Sequence, residues 1–192
     1  MIDLAKLNID KTWSLFLDRD GVINRRIIDQ YVKTTEEFVF LPGVLEAISV
    51  FSKIFGKIIV VTNQQGIGKG IMTLGELEIL HKNMVDEISK SLGRIDKIYF
   101  CPAKSEDNHP DRKPSIGMGL KAKSDFKEIH FKKCIIAGDS FSDMEFGHRL
   151  NMVKVFINDD FQLAKGKEPL VDIQFRGLID FAEELKLVLK II

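Results

Sequence analysis

The stretch Ser14–Asn24, reading Ser-Leu-Phe-Leu-Asp-Arg-Asp-Gly-Val-Ile-Asn, constrains the fold more than any other part of the chain. Leu15, Phe16 and Leu17 are apolar in succession, as in a strand buried on both faces of a mainly parallel sheet, and the run stops at Asp18. Asp18 and Asp20 therefore stand just past a central strand, in the region where open α/β sheets bind ligands. A carboxylate pair with Gly21 behind it can serve as nucleophile, proton shuttle and hard-cation ligand. Read alone, the stretch is explained equally well as a strand followed by a solvated acidic turn.

The rest of the chain decides between these readings. After a loop over Arg25–Leu41, Pro42-Gly43 precedes a helical pattern in which Val44, Leu45, Ile48 and Phe51 or Phe55 share a face, ending at Gly56. Lys57–Thr62 is a second buried strand. Thr73-Leu74-Gly75-Glu76 is a capping box, and Leu77, Leu80, Met84, Ile88 and Leu92 predict one face of the helix it starts. A third strand is expected over Ile95–Cys101, a polar loop over Pro102–Asp111, and a helix over Ile116–Asp125 capped by Ser115. Lys133–Gly138 is another continuous apolar strand, closed by Asp139. A helix over Ser142–Leu150, a strand over Val153–Ile157, an alternating edge strand over Val171–Phe175 and a closing helix over Gly177–Leu189 complete the pattern. Strands alternating with helices predict right-handed crossovers and an α/β, doubly wound (Rossmann-like) parallel sheet with helices on both faces. No repeat or linker interrupts it, so a single domain over 1–192 is expected.

Four polar stations follow the apolar strands or their loops: Asp18 with Asp20, Thr62 with Asn63, Lys113, and Asp139 with Asp143. In a parallel sheet they converge on one edge. Phosphoryl transfer needs an in-line nucleophile, donors on the equatorial oxygens, and a hard cation to offset carboxylates facing an anionic substrate. Asp18 suits attack, Asp20 suits proton transfer, Asp139 suits the cation with Asp18, and Thr62 and Lys113 suit the phosphoryl group.

Asp18-x-Asp20-Gly21, Thr62-Asn63, Lys113 and Gly138-Asp139 with Asp143 resemble, in order, the four motifs of the haloacid-dehalogenase-like phosphatases over nearly the whole chain. Phe16–Asn24, Thr62–Ile67 and Arg112-Lys113-Pro114 resemble more closely the subgroup holding heptose-bisphosphate and histidinol-phosphate phosphatases. The resemblance implies Asp18 as nucleophile and Asp20 as general acid/base, and a Mg²⁺ held by the Asp18 and Asp139 side chains and the Asp20 main-chain carbonyl. It also implies Arg112, with Arg19 and Asn63, as substrate contacts. Asp143 is then either a metal neighbour or the favourable acid of its helix's first turn.

Spacing independently fits a chain without a separate cap domain. Asp18 and Thr62 are 44 positions apart, and Thr62 and Lys113 are 51 apart, each interval filled by one helix, one strand and short loops. Selectivity is expected from the Arg25–Leu41 and Pro102–Asp111 loops. The second departs from the subgroup, whose Cys-Pro-His and Cys-x-Cys form a zinc site. Here Ala103 replaces the His, while His109 and Asp111 replace the two Cys after Cys101. Asp is a poor structural zinc ligand, so no structural zinc is expected.

Rival readings are weaker. Gly66-Ile67-Gly68-Lys69-Gly70 lacks the first glycine and the Ser or Thr of a Walker loop, and Ile71 breaks a dinucleotide fingerprint. These glycines are read as backbone freedom beside the site, or as a plain turn. Val22 and Ile23 exclude a calcium loop after Asp18. His81, His130 and His148 are read as packed or surface residues. Lys plus Arg balances Asp plus Glu at 28 each, which gives a nucleic-acid 3′-phosphatase little support. A silent binding domain would lack Asp18, Asp20 or Asp139. Two distant cysteines and no apolar run near ~20 residues make a cytoplasmic, membrane-free protein the expectation, and nothing in the sequence demands more than a monomer. The expected substrate is a small phosphorylated metabolite: heptose 1,7-bisphosphate first, on the Asp18–Asn24, Tyr31-Val32 and Phe38–Gly43 stretches, with histidinol phosphate as the alternative.

Overall fold

Ser14–Leu17 forms β1, the centre of a six-stranded parallel sheet, and every one of its side chains is buried. The computed structural model describes residues 2–27, 30–160 and 170–191. Two positions of the Arg25–Leu41 loop, 28 and 29, therefore lie outside the described residues.

The remaining strands are β2 (Lys57–Asn63), β3 (Lys97–Cys101), β4 (Cys134–Gly138), β5 (Val153–Ile157) and β6 (Ile173–Phe175), in spatial order β3-β2-β1-β4-β5-β6. All five pairings are parallel. The helices are α1 (Val44–Ile54), a single turn α2 (Gln65–Gly68), α3 (Leu74–Lys90), α4 (Gly117–Asp125), α5 (Phe141–Arg149) and α6 (Leu178–Leu189).

Alternate residues of the strands bury against different layers. Leu15, Leu17, Ile58, Val60, Ile135 and Ala137 pack with side chains of α1, α3 and α6. Phe16, Ile59, Val61 and Ile136 pack with Met118 and Ala122 of α4 and Phe146 of α5. A strand apolar at every position is required for such a three-layer fold, because neither face meets water.

Several boundaries depart from expectation for local reasons. Ser115 does not cap α4: Ile116 occupies the cap position with no side-chain bond, and the Ser115 amide instead closes a turn onto Arg112 O. Leu92 leaves the apolar stripe, since α3 ends at Lys90 and Leu92 is exposed at φ 61°. β3 starts at Lys97 and β6 at Ile173, each two residues later than expected. α5 starts at Phe141, where the Asp143 carboxylate accepts from the Ser140 amide and hydroxyl, and the Thr73–Glu76 box stands as read. The glycine-rich stretch after β2 is neither open loop nor plain turn but α2, with Gly68 so close to the 102–104 segment that a Cβ would lie 2.6 Å from Pro102 O.

Candidate active site

The strand order reverses between β1 and β4, and there the polar stations meet. Leu17 pairs with Val60 on one side and Ala137 on the other. Asp18 follows Leu17 directly, while Thr62 and Asp139 stand two residues beyond its partners. Side chains 44 and 121 positions from Asp18 thus arrive at one edge, outside the carboxyl ends of the strands.

Asp18 is the centre of the arrangement. The Arg19 amide donates to its Oδ1 at 2.7 Å, and Lys113 Nζ lies 2.9 Å from the same oxygen. Lys113 Nζ also stands 2.6 Å from Asp143 Oδ1 and donates to Val61 O at 2.6 Å. The ammonium has three donors and three protein acceptors, so Lys113 is oriented on the carboxylates. Burial pulls its pKa down, but Asp143 and Asp18 more than offset this and hold it above its ordinary value. Asn63 fixes Lys113 from behind: its Nδ2 donates to Lys113 O and its Oδ1 accepts from Lys113 N, each at 3.0 Å.

Asp20 sits in a different environment. Its carboxylate accepts from Arg19 Nη2 at 2.9 and 2.8 Å, Asn24 Nδ2 at 2.8 Å and Gln64 Nε2 at 2.9 Å. Burial pushes its pKa up, but the Arg19 charge and these hydrogen bonds outweigh burial and leave it below the usual carboxylate value. Gln64 Nε2 also donates to Thr62 Oγ1 at 2.9 Å, which leaves the Thr62 hydroxyl proton free for an acceptor in the cleft.

Asp139 and Asp18 are pushed the other way. Burial, reinforced by Asp18 and opposed by Arg26, raises Asp139 to about 7. Burial, opposed by Lys113 and reinforced by Asp143, raises Asp18 to about 6. Asp18, Asp139 and Asp143 each offer an oxygen within 4.8 Å of the others, and Asp139 Oδ1 is buried without a hydrogen-bond partner. Crowded carboxylates, all hard oxygen donors with one orphaned, fit a hard divalent cation. Asp143 already serves Lys113 through Oδ1 and Ser140 through Oδ2. Gly21 lets the turn lie against Asp139: its φ is 90°, and a Cβ would fall 2.0 Å from Asp139 Oδ2.

A cleft of about 580 Å³ opens over Asp18 and Asp20, rimmed by Arg26, Tyr31, Lys69 and Arg112. Arg26 Nη1 donates to Asp139 Oδ2 at 3.0 Å, Lys69 lies over the Tyr31 ring, and Arg112 Nη1 donates to Ala103 O at 3.0 Å. Asp18, Asp20, Thr62, Asn63, Lys113, Arg19 and Arg112 are thus all brought to the cleft, with Asp139 beside Asp18. Arg19 does not extend into the cleft as a free cation; it is buried with its guanidinium on Asp20 and His81. Sequence reasoning missed Asn24, Gln64 and Arg26 as partners of the site, while His81 is packed, as read. For Gln64 and Asn24 the available signal was their place in the loops leaving β2 and β1.

The loop from Cys101 to Arg112 is held by protein partners. Cys101 Sγ is 3.7 Å from His109 Nδ1, which accepts from the Asp111 amide at 3.1 Å, and the Asp111 carboxylate pairs with Lys121. Cys101 and Cys134 are both buried and free.

Comparison with known proteins gives a consistent picture. Residues 15–175 match the family described as polynucleotide kinase 3 phosphatase. The D-glycero-beta-D-manno-heptose-1,7-bisphosphate 7-phosphatase of Pseudomonas putida is 38% identical over 174 residues, 89% of this chain and 98% of that protein. The D-glycero-alpha-D-manno-heptose-1,7-bisphosphate 7-phosphatase of Campylobacter jejuni is 41% identical over 137 residues, 71% and 77% of the two chains. Among solved structures, the D,D-heptose 1,7-bisphosphate phosphatase of B. bronchiseptica, complexed with magnesium and phosphate, superposes with a TM-score of 0.83. It is 27% identical and covers 91% of this chain and 98% of its own.

Proposed function

The chain belongs to the haloacid-dehalogenase-like phosphatases, in the group of the heptose-1,7-bisphosphate phosphatases, and we propose that it is a Mg²⁺-dependent D-glycero-D-manno-heptose-1,7-bisphosphate 7-phosphatase working through an aspartyl-phosphate on Asp18. The observation that carries this reading is the division of the site into unlike carboxylates. Asp18 is paired with Lys113 beside a cation-ready cluster, and Asp20 is held apart by Arg19, Asn24 and Gln64.

In this reading Asp18 attacks the 7-phosphoryl phosphorus. Among the described residues, the protein donors to its side chain go to Oδ1, which leaves Oδ2 open to the cleft chemistry. Lys113 keeps Asp18 ionised and oriented despite burial, and the Thr62 hydroxyl donates to an equatorial oxygen. Asp20, held ionised as it stands, is ready to take a proton from the water that cleaves the acyl phosphate; for the first step it must enter protonated, and that proton passes to the departing sugar hydroxyl. Asp18, Asp139 and the Asp20 carbonyl would hold Mg²⁺, with Asp143 beside them. When bound, the ion would offset the charge between carboxylates and phosphate and polarise the phosphoryl group.

The rim cations Arg26, Lys69 and Arg112 suit the second phosphate of a bisphosphate, with Asn63 and Arg19 acting behind the site through Lys113 and Asp20. No helix among the described residues is long and apolar enough to cross a membrane. A single domain, acting as a cytoplasmic monomer on a small phosphorylated sugar, completes the proposal.

Phosphate release from both anomers of the heptose bisphosphate, histidinol phosphate and a 3′-phosphorylated oligonucleotide, with Mg²⁺ and with chelator, tests it. A dominant, chelator-sensitive kcat/KM for a heptose bisphosphate is expected. Preferred turnover of histidinol phosphate or of the oligonucleotide would replace the substrate and keep the chemistry.

A further inference from the structure

Arg19 is fully buried, yet its guanidinium is the principal cation on Asp20. Its backbone is fixed by the turn it opens, since Arg19 O accepts from the amides of Val22, Ile23 and Asn24. The side chain beyond is long and loses much rotamer freedom on ordering, so something must hold its far end. Two groups do so. The Phe38 ring lies 6.0 Å from the Arg19 carbon between the two amino groups, and His81 Nε2, from the middle of α3, lies 3.2 Å from Nη1.

The chemistry of that contact has one solution. A guanidinium has donors only and stays protonated, so His81 Nε2 must accept and its ring proton must reside on Nδ1. We propose that His81 is a positioning residue for the reaction: a neutral, Nδ1-protonated imidazole whose Nε2 lone pair holds Arg19 against Asp20. The proposal rests on the reading of Asp20 as general acid/base.

The surroundings support this state of the ring. Burial first, and then the facing Arg19 charge, pull the His81 pKa down to about 3, with only Asp20 opposing. The ring is seated rigidly. It meets Phe100 edge-on at 6.0 Å, and α3 is anchored by its capping box and by buried Leu77, Leu80, Met84 and Ile88. α3 thereby reaches the catalytic turn through the chain His81, Arg19, Asp20. A histidine that merely filled the core would need no acceptor and would tolerate an apolar replacement of similar size.

The test combines a measurement on the unaltered protein with three variants. Nitrogen-15 NMR of the imidazole should show Nε2 as a bare acceptor and Nδ1 protonated, unchanged between about pH 5 and 8. On the heptose bisphosphate, His81→Leu should lower kcat about tenfold, the effect of losing one charge-assisted hydrogen bond, with KM and Mg²⁺ affinity nearly unchanged. His81→Gln, which restores an acceptor at similar reach, should recover most of that loss. A protonated Nε2, a His81→Leu kcat equal to the parent's, or equal impairment of His81→Leu and His81→Gln would overturn the proposal. Asp20→Asn separates the two levels. If it turns over like the parent, the acid/base reading falls and the proposal with it; if it is slow while His81→Leu is not, only the positioning role falls.

Discussion

Lys113 Nζ stands 2.9 Å from Asp18 Oδ1 and 2.6 Å from Asp143 Oδ1, in a pocket where all three side chains are more than nine-tenths buried. One cation therefore compensates two carboxylates, and Asp139 is left for something else. Removing the cation while keeping the acids leaves buried charge without a partner, which costs about 3–5 kcal/mol. Lys113→Met should therefore lose both stability and turnover. Chemical denaturation and phosphate release check this, and a Lys113→Met protein as stable as the parent would mean that the acids take up protons in its place.

The raised pKa values of Asp18, about 6, and Asp139, about 7, give divalent-ion binding a definite pH dependence. A carboxyl whose folded value exceeds its unfolded one binds its proton more tightly when folded. Its contribution to metal-free stability is complete below about 4, near the unfolded value, and is lost as pH rises through 6 to 7. Mg²⁺ must displace those protons. The rise in Tm on adding Mg²⁺ should be largest at pH 8 and should shrink as pH falls through 7 and 6 to 5. Scanning calorimetry at fixed Mg²⁺ measures it.

Arg26 and a metal ion compete for Asp139. The ion pair spans 113 positions of sequence, and the Arg26 side chain is 53% exposed, so its strength is that of a surface pair, about 0.2–1 kcal/mol. Arg26→Gln should tighten Mg²⁺ binding up to about fivefold by calorimetric titration in the absence of substrate. If Arg26 also meets the second phosphate, the same variant should raise KM for a bisphosphate more than for a monophosphate.

Gly21 has φ 90°, and a Cβ there would lie 2.0 Å from Asp139 Oδ2. Backbone strain alone costs about 1–3 kcal/mol, and the clash displaces a metal-facing carboxylate. Gly21→Ala should lower Tm and weaken Mg²⁺ binding together. A change in one without the other would show that the turn and the carboxylate are not linked.

The parts of this architecture that were legible in the sequence share a physical cause. A strand covered on both faces must be apolar at every position, so β1, β2 and β4 appear as uninterrupted runs, and the polar residue ending each run stands at the sheet edge. Asp18, Thr62 and Asp139 could be found that way. The partners of those residues could not. Arg26 reaches Asp139 from a loop, Gln64 bridges Thr62 and Asp20 from the end of β2, and His81 looks like any helix-face residue until Arg19, 62 positions earlier, is folded beneath it. Ser115 and Leu92 show the converse: a good local signal gave way where the 112–115 turn or the end of α3 closed first.

The central claim is that phosphate passes through Asp18. Turnover of the heptose bisphosphate should be quenched in acid within a single cycle, treated with borohydride to reduce any acyl phosphate, and the peptide containing residues 14–24 sequenced by mass spectrometry. Conversion of position 18 to homoserine, dependent on Mg²⁺ and substrate and absent in Asp20→Asn before substrate is added, is the predicted result. Unmodified aspartate at position 18 while phosphate is being released would contradict the account.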